Sequence, residues 1–392
     1  MYDIELIRED FPVLKDVIYF DNGATTQTPV QAVRAMEDYF FKYAANHGRG
    51  AHGLARQTTE HYENARETVA RFLNAPEENT VFTRNTTESI NLVAQGLQWE
   101  KGDHVITTLV EHHSNLLPWM RLREQGVEMT VVEPDDYGIV DPAKIEEAIT
   151  NRTKVIAVTH ISNVFGSVQD VESICKLAGE NGILSVIDGA QSAGHTPVDF
   201  EKIGCDFFAA PGHKALLGPQ GTGILCMKDP SIVKPLNIGG GAVTSVTTTS
   251  YELDRSPSRF EAGTPNIPGV IGLGRAVEYV EELGVENIES HEKKLAKKAA
   301  KGLAAIDGIK IYGPEDRAPV VPFNLNGMHP HDVALILDET RRICVRSGYH
   351  CAMPGIVHMG LEGTVRASFG PYNTSEEVEL LIETMEEIAL LI

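Results

Sequence analysis

The sequence is poor in the residues on which several protein classes depend. It has five cysteines in 392 residues and no CxxC pair, so we expect neither a metal site nor a disulfide framework. Positive charge is also scarce, because 34 Lys and Arg stand against 55 Asp and Glu, for a formal net charge of -21. Phosphate backbones need a basic surface, and this balance therefore argues against nucleic acid as the main partner.

Long apolar runs are missing as well. No segment has the length of uninterrupted apolar sequence that a membrane span needs, so we expect no membrane partner. The chain begins MYDIELIREDFPVL, which has neither the basic start nor the apolar centre of a signal peptide. These features predict a cytoplasmic protein with reduced thiols.

The first two thirds of the chain alternate β-like runs with helical patterns. Several of the runs are nearly continuous in Val, Ile and Phe, which is typical of parallel strands buried on both faces. The pattern predicts an α/β fold with a largely parallel, seven-stranded sheet. The seven runs are residues 80–83, 104–110, 129–132, 154–160, 184–188, 206–209 and 223–227.

The pattern changes after Pro268. A helical stretch over residues 270–306 is interrupted near Gly284, and a last helix from Ser375 to Leu391 follows Thr374 with a capping-box Glu377. Between them lie strand-like runs at residues 309–312, 320–325, 343–346 and 364–369, with a helix at residues 331–338. We therefore predict a large α/β domain over residues 13–268 and a smaller α+β domain from residues 1–12 and 269–392.

Two residues that follow predicted strands point to chemistry, because ligands of open α/β sheets bind beyond the carboxyl ends of the strands. Lys214 lies in a Gly-rich turn and could form a Schiff base if its pKa is lowered, although for this residue alone a surface lysine beside a turn is the better interpretation. Asp188 ends an apolar run and could pair with a protonated ring nitrogen, or cap the next helix.

Other strand ends carry polar groups with two interpretations each. Thr86 and Thr87 could hold a phosphate at a helix N-terminus or serve as plain caps. His112 could stack on a planar ring or transfer protons, and no HExxH spacing supports a metal role for it. Asn163 could donate to a phenolic oxygen or belong to a turn.

The second region contributes one cysteine and one arginine. Cys351 lies among polar and turn-forming residues, where Arg346 and His350 could favour the thiolate. Arg366 lies within an apolar strand and could bind a substrate carboxylate, or form an internal salt bridge. The remaining cysteines fall in apolar or helical patterns typical of buried thiols: Cys175, Cys205, Cys226 and Cys344.

The order and spacing of these motifs resemble the fold-type I pyridoxal-phosphate enzymes of the class V aminotransferase-like branch. Within that branch, the chain is similar to the cysteine desulfurases of the sulfur-mobilisation, or second, group. The resemblance extends from the DNGATT motif at Asp21 to the last helix, and the short HCAMP loop around Cys351 resembles the second group.

The resemblance implies a role for each matching residue. Lys214 would carry pyridoxal phosphate, Asp188 would pair with its ring nitrogen, and Cys351 would be the nucleophile. The other implied cofactor contacts are Gln191 and Asn163 at the ring hydroxyl, His112 stacked on the ring, and Thr86, Thr87 and His213 at the phosphate. Implied substrate contacts are Arg366 at the carboxylate, with Arg346, Asn163, His52 and Ala24. Thr264 would reach the phosphate of a neighbouring subunit, which implies a homodimer with composite active sites.

The implied activity is removal of sulfur from L-cysteine, which gives L-alanine and a persulfide on Cys351 for a sulfur-acceptor protein or scaffold, as in iron–sulfur assembly. Alternatives are a selenocysteine lyase, another reaction of the same fold such as an aminotransferase, epimerase or kynureninase-like hydrolase, and a silent scaffold protein. Four residues depart from the family pattern: Pro211, Tyr349, Gly23 and Asn85. At the position of Pro211 the family commonly has Ser or Thr.

Overall fold

The computed structural model describes residues 2–390, so Met1 and the predicted helix end at Leu391 lie outside the described residues. The strands are β1 Ile18–Tyr19, β2 Thr80–Thr83, β3 His104–Thr108, β4 Glu128–Val132, β5 Thr153–Thr159, β6 Leu184–Asp188, β7 Phe207–Pro211, β8 Gly223–Met227, β9 Val243–Val246, β10 Tyr251–Leu253, β11 Ile309–Ile311, β12 Val320–Leu325, β13 Ile343–Cys344, β14 Arg346–Gly348 and β15 Thr364–Ser368. The α-helices are α1 Ile4–Glu9, α2 Val30–Asp38, α3 Gly53–Phe72, α4 Thr86–Gly96, α5 His113–Arg121, α6 Pro142–Ala148, α7 Val171–Glu180, α8 Phe200–Ile203, α9 Ile267–Leu283, α10 Val285–Ala304, α11 Pro330–Arg341, α12 Met353–His358 and α13 Ser375–Ala389.

The larger sheet has seven strands in the order β2-β8-β7-β6-β5-β3-β4. β8 is antiparallel to both of its neighbours, and the other neighbouring pairs are parallel. These are the seven apolar runs of the sequence, so the predicted α/β fold with a mostly parallel sheet is confirmed.

Both faces of this sheet are buried. Along β6, Val186 enters one core and Ile187 the other, and Phe207 and Phe208 of β7 alternate in the same way. Because these central strands are buried on both faces, the chain leaves the apolar layer only at the ends of the strands, and the carboxyl ends are where it does so after each parallel strand. Asp188 stands at such an end.

The smaller sheet is antiparallel in the order β11-β12-β15-β14. It is covered by side chains of α10, α11 and α13, among them Leu295, Val333 and Leu381. The capping box predicted for the last helix is present, with Thr374 and Glu377 bonding reciprocally.

One predicted strand was wrong. Residues 343–346 form two short strands that serve different sheets. β13 pairs in parallel with β1, from the beginning of the chain, and β14 pairs with β15. Because β1 is only two residues long, β13 ends after two residues, and the chain then joins the four-stranded sheet as a separate strand, β14.

The predicted interruption at Gly284 is confirmed, since this residue has φ +79 between α9 and α10. Leu273 and Val277 of α9 join the core on one face of the seven-stranded sheet.

The domain boundary at residue 268 stays a prediction. None of the helices in residues 2–390 combines the length and apolar character that crossing a membrane requires.

Candidate active site

A pocket opens where the carboxyl ends of the parallel strands face the small antiparallel sheet. Most of the site residues predicted from the sequence line this one pocket, although they come from distant parts of the chain. They are Ala24, Thr86, Thr87, His112, Asn163, Asp188, Gln191, His213, Lys214, Arg346, Cys351 and Arg366.

Two predicted site residues do not line the pocket of their own chain. His52 is exposed, and its Nδ1 atom accepts the backbone N–H of Ala55 at the start of α3. Thr264 lines a separate surface pocket with Tyr62 and Arg84. The structure therefore does not bring either residue to the other candidate groups within one chain.

Lys214 lies in the turn that follows β7. Its backbone is fixed by Thr26, whose hydroxyl donates to Lys214 O at 2.6 Å and whose N–H donates to His213 O at 3.0 Å. Burial lowers the pKa of Lys214 to about 8, with the Asp188 carboxylate acting in the opposite direction. About a tenth of the Lys214 amine is therefore uncharged at pH 7, and Schiff-base chemistry needs this free form.

Asp188 ends β6 and is 2% exposed. One carboxylate oxygen accepts the N–H of Ala190 at 2.9 Å, so the local capping interpretation holds in part. Burial raises the pKa of Asp188. A buried carboxylate that lines a pocket favours a cationic partner there, and a protonated ring nitrogen would supply one.

The beginning of α4 offers a place for a phosphate. Asn85 caps this helix by accepting the N–H of Glu88 at 2.9 Å, which leaves Thr86 and Thr87 in the first turn. The Thr86 hydroxyl is buried without a partner, and the Thr87 hydroxyl lies 2.7 Å from that of Ser114. The helix dipole and the unpartnered Thr86 hydroxyl suit an anion.

Two of the three histidines that line the pocket, His112 and His213, are held neutral. Burial, followed by the charge of Lys214, lowers the pKa of His112 to about 3 and that of His213 to about 4. His112 Nδ1 accepts the N–H of Ser114 at 3.1 Å and so caps α5. A neutral imidazole at this position suits ring stacking better than proton donation.

These groups fit pyridoxal phosphate. Lys214 can bind its aldehyde, the buried Asp188 can pair with its ring nitrogen, and the first turn of α4 can hold its phosphate. Gln191 donates to Gly23 O at 2.8 Å, and its own side-chain oxygen is buried without a partner. That orphan oxygen and the Thr86 hydroxyl are the polar atoms that such a ligand would satisfy.

The carboxylate-binding candidate, Arg366, lies in an ion pair as well as in the pocket. It is almost fully buried, donating from Nη1 to Asn163 O at 2.8 Å and from Nη2 to Asp21 Oδ1 at 3.1 Å. Its Nε is buried without a partner. The internal salt bridge allowed by the sequence is thus confirmed, and donors remain for a ligand. A Cβ atom at Gly23 would stand 3.1 Å from Cζ of Arg366, so a glycine here leaves room for the guanidinium.

Cys351 is exposed at the mouth of the pocket, in a strained loop. It has φ +57, and His350 before it has φ +49. Three hydrogen bonds hold this loop: Asn163 donates to His350 O at 2.8 Å, His113 N–H donates to Cys351 O at 2.7 Å, and Met353 N–H donates to His113 Nε2 at 3.2 Å. The thiol is therefore presented on a fixed turn.

His350 does not supply the positive charge expected beside the thiol. It is 4% exposed, its Nε2 pairs with the Thr364 hydroxyl at 2.8 Å, and burial lowers its pKa to about 2. A neutral imidazole cannot favour a thiolate by charge. Arg346, which lines the same pocket, is the remaining cationic neighbour predicted from the sequence.

Glu111 is a buried group that the sequence motifs did not single out. Its carboxylate accepts from the Thr108 hydroxyl at 2.5 Å, Asn115 Nδ2 at 2.6 Å and Thr159 N–H at 2.9 Å. Burial raises its pKa to about 8. These bonds join the ends of β3 and β5 to α5, and Glu111 itself directly precedes His112. In the sequence, a carboxylate directly after the apolar run 104–110 was the signal that could have identified Glu111.

Two of the residues that depart from the family pattern, Pro211 and Tyr349, lie near the pocket or the core. Pro211 lines the pocket as the last residue of β7, where its ring offers no N–H to a ligand. Tyr349 is partly buried and packs against the core of the large sheet.

Comparison with known proteins agrees with this geometry. The Aminotransferase class-V family matches residues 18–381. A protein of Methanothermobacter thermautotrophicus described as "Probable cysteine desulfurase" is 50% identical, with 98% of each chain covered. The apo structure of a cysteine desulfurase from Thermococcus onnurineus NA1 has a TM-score of 0.96 at 45% identity and covers 99% of this chain and 98% of its own. The cysteine desulfurase CsdA of Escherichia coli, solved in an S-sulfonic acid form, has a TM-score of 0.94 at 34% identity with both chains fully covered. The chain therefore belongs to the class V aminotransferase family, among relatives described as cysteine desulfurases.

Proposed function

We propose that this protein is a pyridoxal-phosphate-dependent cysteine desulfurase, which converts L-cysteine to L-alanine and keeps the sulfur as a persulfide on Cys351. One observation carries the proposal: a single pocket contains a lysine of lowered pKa, a buried carboxylate, a buried arginine and an exposed thiol. They are Lys214, Asp188, Arg366 and Cys351.

Different residues around the pocket would each bind one part of the cofactor. Lys214 would hold the aldehyde carbon, Asp188 the ring nitrogen, and His112 one face of the ring. The phosphate would lie against Thr86, Thr87 and His213, and the ring hydroxyl against Gln191 and Asn163. When bound, pyridoxal phosphate withdraws electrons from the substrate's α-carbon.

The substrate would be held at its carboxylate. Arg366 offers a planar fork for bidentate binding, and its unpartnered Nε is available for this contact. Arg346 lies on the neighbouring strand and lines the same pocket. Once Lys214 Nζ is released by the incoming amine, its pKa near 8 suits it to take the proton from the α-carbon.

Cys351 would carry out the sulfur transfer. Its thiolate attacks the sulfur of the bound cysteine, so that an S–S bond forms while the substrate's C–S bond breaks. The electron pair of the broken bond stays with carbon, which takes up a proton to give L-alanine. The sum is cysteine plus thiol giving alanine plus persulfide, with no external oxidant or reductant. The two left-handed residues and three hydrogen bonds of the loop keep the thiol in place for this attack.

The persulfide would then pass to an acceptor protein or scaffold, and we assign it to iron–sulfur cluster assembly. Cys351 is exposed, so a thiol of another protein can reach it. A reactive free thiol at this position fits the reducing cytoplasm.

We also propose a homodimer with composite active sites and the two-domain division at residue 268. Thr264 lies away from its own chain's pocket, and Phe40 and Phe41 expose 60% and 80% of their surface on the short helical turn Tyr39–Tyr43 that follows α2. A partner subunit would cover these rings. Sedimentation equilibrium tests this assembly, and a monomer at micromolar concentration would contradict it.

The deciding experiment is alanine release from L-cysteine by the cofactor-loaded protein, beside Cys351→Ala and Lys214→Ala. We expect release by the wild type, none by Cys351→Ala with cofactor absorbance retained, and loss of the lysine-bound absorbance in Lys214→Ala. Full activity of Cys351→Ala would overturn the nucleophile assignment. A yellow wild type that releases no alanine would overturn the substrate assignment.

A further inference from the structure

A second cavity adjoins the loop that follows β5, and we call it the outer pocket. It has a volume of about 500 Å³ and is bounded by this loop and by α7, α8 and α10. Its lining includes His160, Ile161, His195 and Lys293. Ile161 also lines the candidate active site, so it forms part of the wall between the two cavities.

His195 presents an unused hydrogen-bond acceptor to the outer pocket. The residue is 3% exposed, and its Nδ1 lies 2.7 Å from Oε2 of the fully buried Glu292. Because a carboxylate accepts hydrogen bonds, Nδ1 of the neutral ring carries the hydrogen and Nε2 is left as an acceptor. Nε2 has no hydrogen-bond partner among residues 2–390 and is not sealed from solvent, so it faces the pocket that His195 lines.

Two aspartates at the rim add further acceptors. Asp170 caps α7 and Asp199 caps α8, each through its Oδ1 atom, at 3.1 Å from Ser173 N and 2.8 Å from Lys202 N. Within the described part of the chain, neither Oδ2 atom has a hydrogen-bond partner. Each helix start carries roughly half a positive charge, which the full negative charge of its cap outweighs.

The lining of the outer pocket is negative overall. Its charged residues are four carboxylates and two lysines: Asp170, Glu172, Asp199, Glu289, Lys202 and Lys293. Both lysines already lie in ion pairs, at 2.8 Å and 2.9 Å from the two glutamates. Burial lowers the pKa of His160 to about 4, so this histidine is neutral. His195 adds no net positive charge, because the Glu292 carboxylate balances any proton on its ring. An anion would therefore be repelled, and a cation attracted.

The remaining lining is largely apolar and includes the buried side chains of Ile161, Val171 and Ile203. A matching ligand has N–H donors at one end and an apolar chain at the other. A planar guanidinium offers five donors in fixed directions, which suits three separate acceptors better than the compact head of an amine.

We propose that the outer pocket binds a small organic cation of the alkylguanidine class, with the guanidinium between His195 Nε2 and the two rim aspartates. The inference goes beyond the proposed function and does not rest on it. Such a ligand lacks the carboxylate that Arg366 would hold in the active site, and its binding needs no turnover.

The test compares n-butylguanidinium with n-butylurea, which has nearly the same shape and no charge. Affinities are measured by calorimetry in the cofactor-loaded protein. We expect the wild type to bind butylguanidinium more tightly than butylurea by on the order of tenfold. In the double variant Asp170→Asn/Asp199→Asn, this ratio should fall to about twofold or less. Asparagine is an equally good helix cap, so α7 and α8 keep their caps.

Asp229→Asn is a matched control. Asp229 also caps a helical turn, by accepting Ser231 N–H at 2.8 Å, but it follows the antiparallel strand β8 and so stands at the opposite edge of the large sheet. Thermal melting establishes that each variant is folded. We expect the affinity ratio of Asp229→Asn to equal that of the wild type.

A crystal structure with butylguanidinium locates the ligand, which we expect within hydrogen-bond distance of His195 Nε2. Density elsewhere overturns the proposal, as does a wild type that binds neither probe at millimolar concentration or binds both equally. A tenfold ratio retained in the double variant, or lost in Asp229→Asn, also overturns it. Alanine release from L-cysteine tests the proposed function separately, and its failure would leave the outer pocket unaffected.

Discussion

The side-chain amide of Asn163 donates a 2.8 Å hydrogen bond to the backbone carbonyl of His350, one residue before the thiol. The same residue's own carbonyl accepts from Arg366. A single residue after β5 thus ties the candidate nucleophile's loop and the candidate carboxylate site to the large sheet. The distance between the thiol and the candidate carboxylate site is therefore fixed by the fold.

The His113 side chain should matter for the nucleophile and not for the cofactor. In His113→Ala, Met353 N–H loses its acceptor, and the Cys351 loop thereby loses one of the hydrogen bonds that hold it. We expect alanine release to fall about tenfold through poorer positioning, with unchanged cofactor absorbance. His358→Ala, at the exposed end of α12, is the control and should behave as the wild type. Equal rates for both variants would show that the anchor is dispensable.

The strained backbone of Cys351 makes an unusual prediction for stability. At φ +57 a residue with a Cβ is disfavoured, whereas glycine is not. Cys351→Gly should therefore be more stable than Cys351→Ala, by about 1 kcal/mol in the free energy of unfolding. At Met353, the first residue of α12, the order should be reversed, since glycine weakens a helix. Denaturant unfolding of the four variants checks both orders.

Cofactor loading should depend on pH through Lys214. Because only the free amine reacts with the aldehyde, and burial lowers the pKa of Lys214 to about 8, the loading rate should rise as pH increases through 8 and level off above it. Absorbance after mixing pyridoxal phosphate with cofactor-free protein, from pH 6 to 9.5, measures this. A rate that is still rising steeply at pH 9.5, as the ordinary lysine pKa of 10.5 would give, would mean that burial does not lower the pKa of this amine.

Glu111 should make stability depend on pH in the opposite direction from a paired carboxylate. Its pKa is raised by burial from 4.5 to about 8, so the folded state binds the proton more tightly than the unfolded state. Its contribution is fully present below pH 4.5 and is lost as pH rises through 8.

Glu111→Gln tests this. In this variant a side-chain NH2 group takes the place of an oxygen that accepts a hydrogen bond, so at least one of the three surrounding donors loses its acceptor. This loss should lower the free energy of unfolding by about 2 kcal/mol near pH 5. Since Gln does not ionise, the difference from the wild type should shrink toward pH 9. Unfolding in denaturant at both pH values measures it, and a difference that grows with pH would contradict the assignment.

The sequence predicts this protein well where the signal is local. The seven strands are continuous apolar runs, and Lys214 and Asp188 directly follow two of them, so topology alone brings them to one edge. The parts that were missed depend on contacts between distant residues. The ion pair of Asp21 with Arg366 depends on the bridge between Asp21 and Ser368, which are far apart in the sequence, and the neutrality of His350 follows from burial, which no spacing rule reveals.

The pairing of β1 with β13 has a consequence for the newly made chain. Ile18 and Tyr19 find their partners only when Ile343 and Cys344 have been synthesised, some 325 residues later. Lys214 would by then have emerged long before the arginines and the thiol that complete its pocket. A ribosome that stalls before residue 343 would release a chain that carries Lys214 but lacks three residues proposed to bind the substrate and transfer sulfur: Arg346, Cys351 and Arg366.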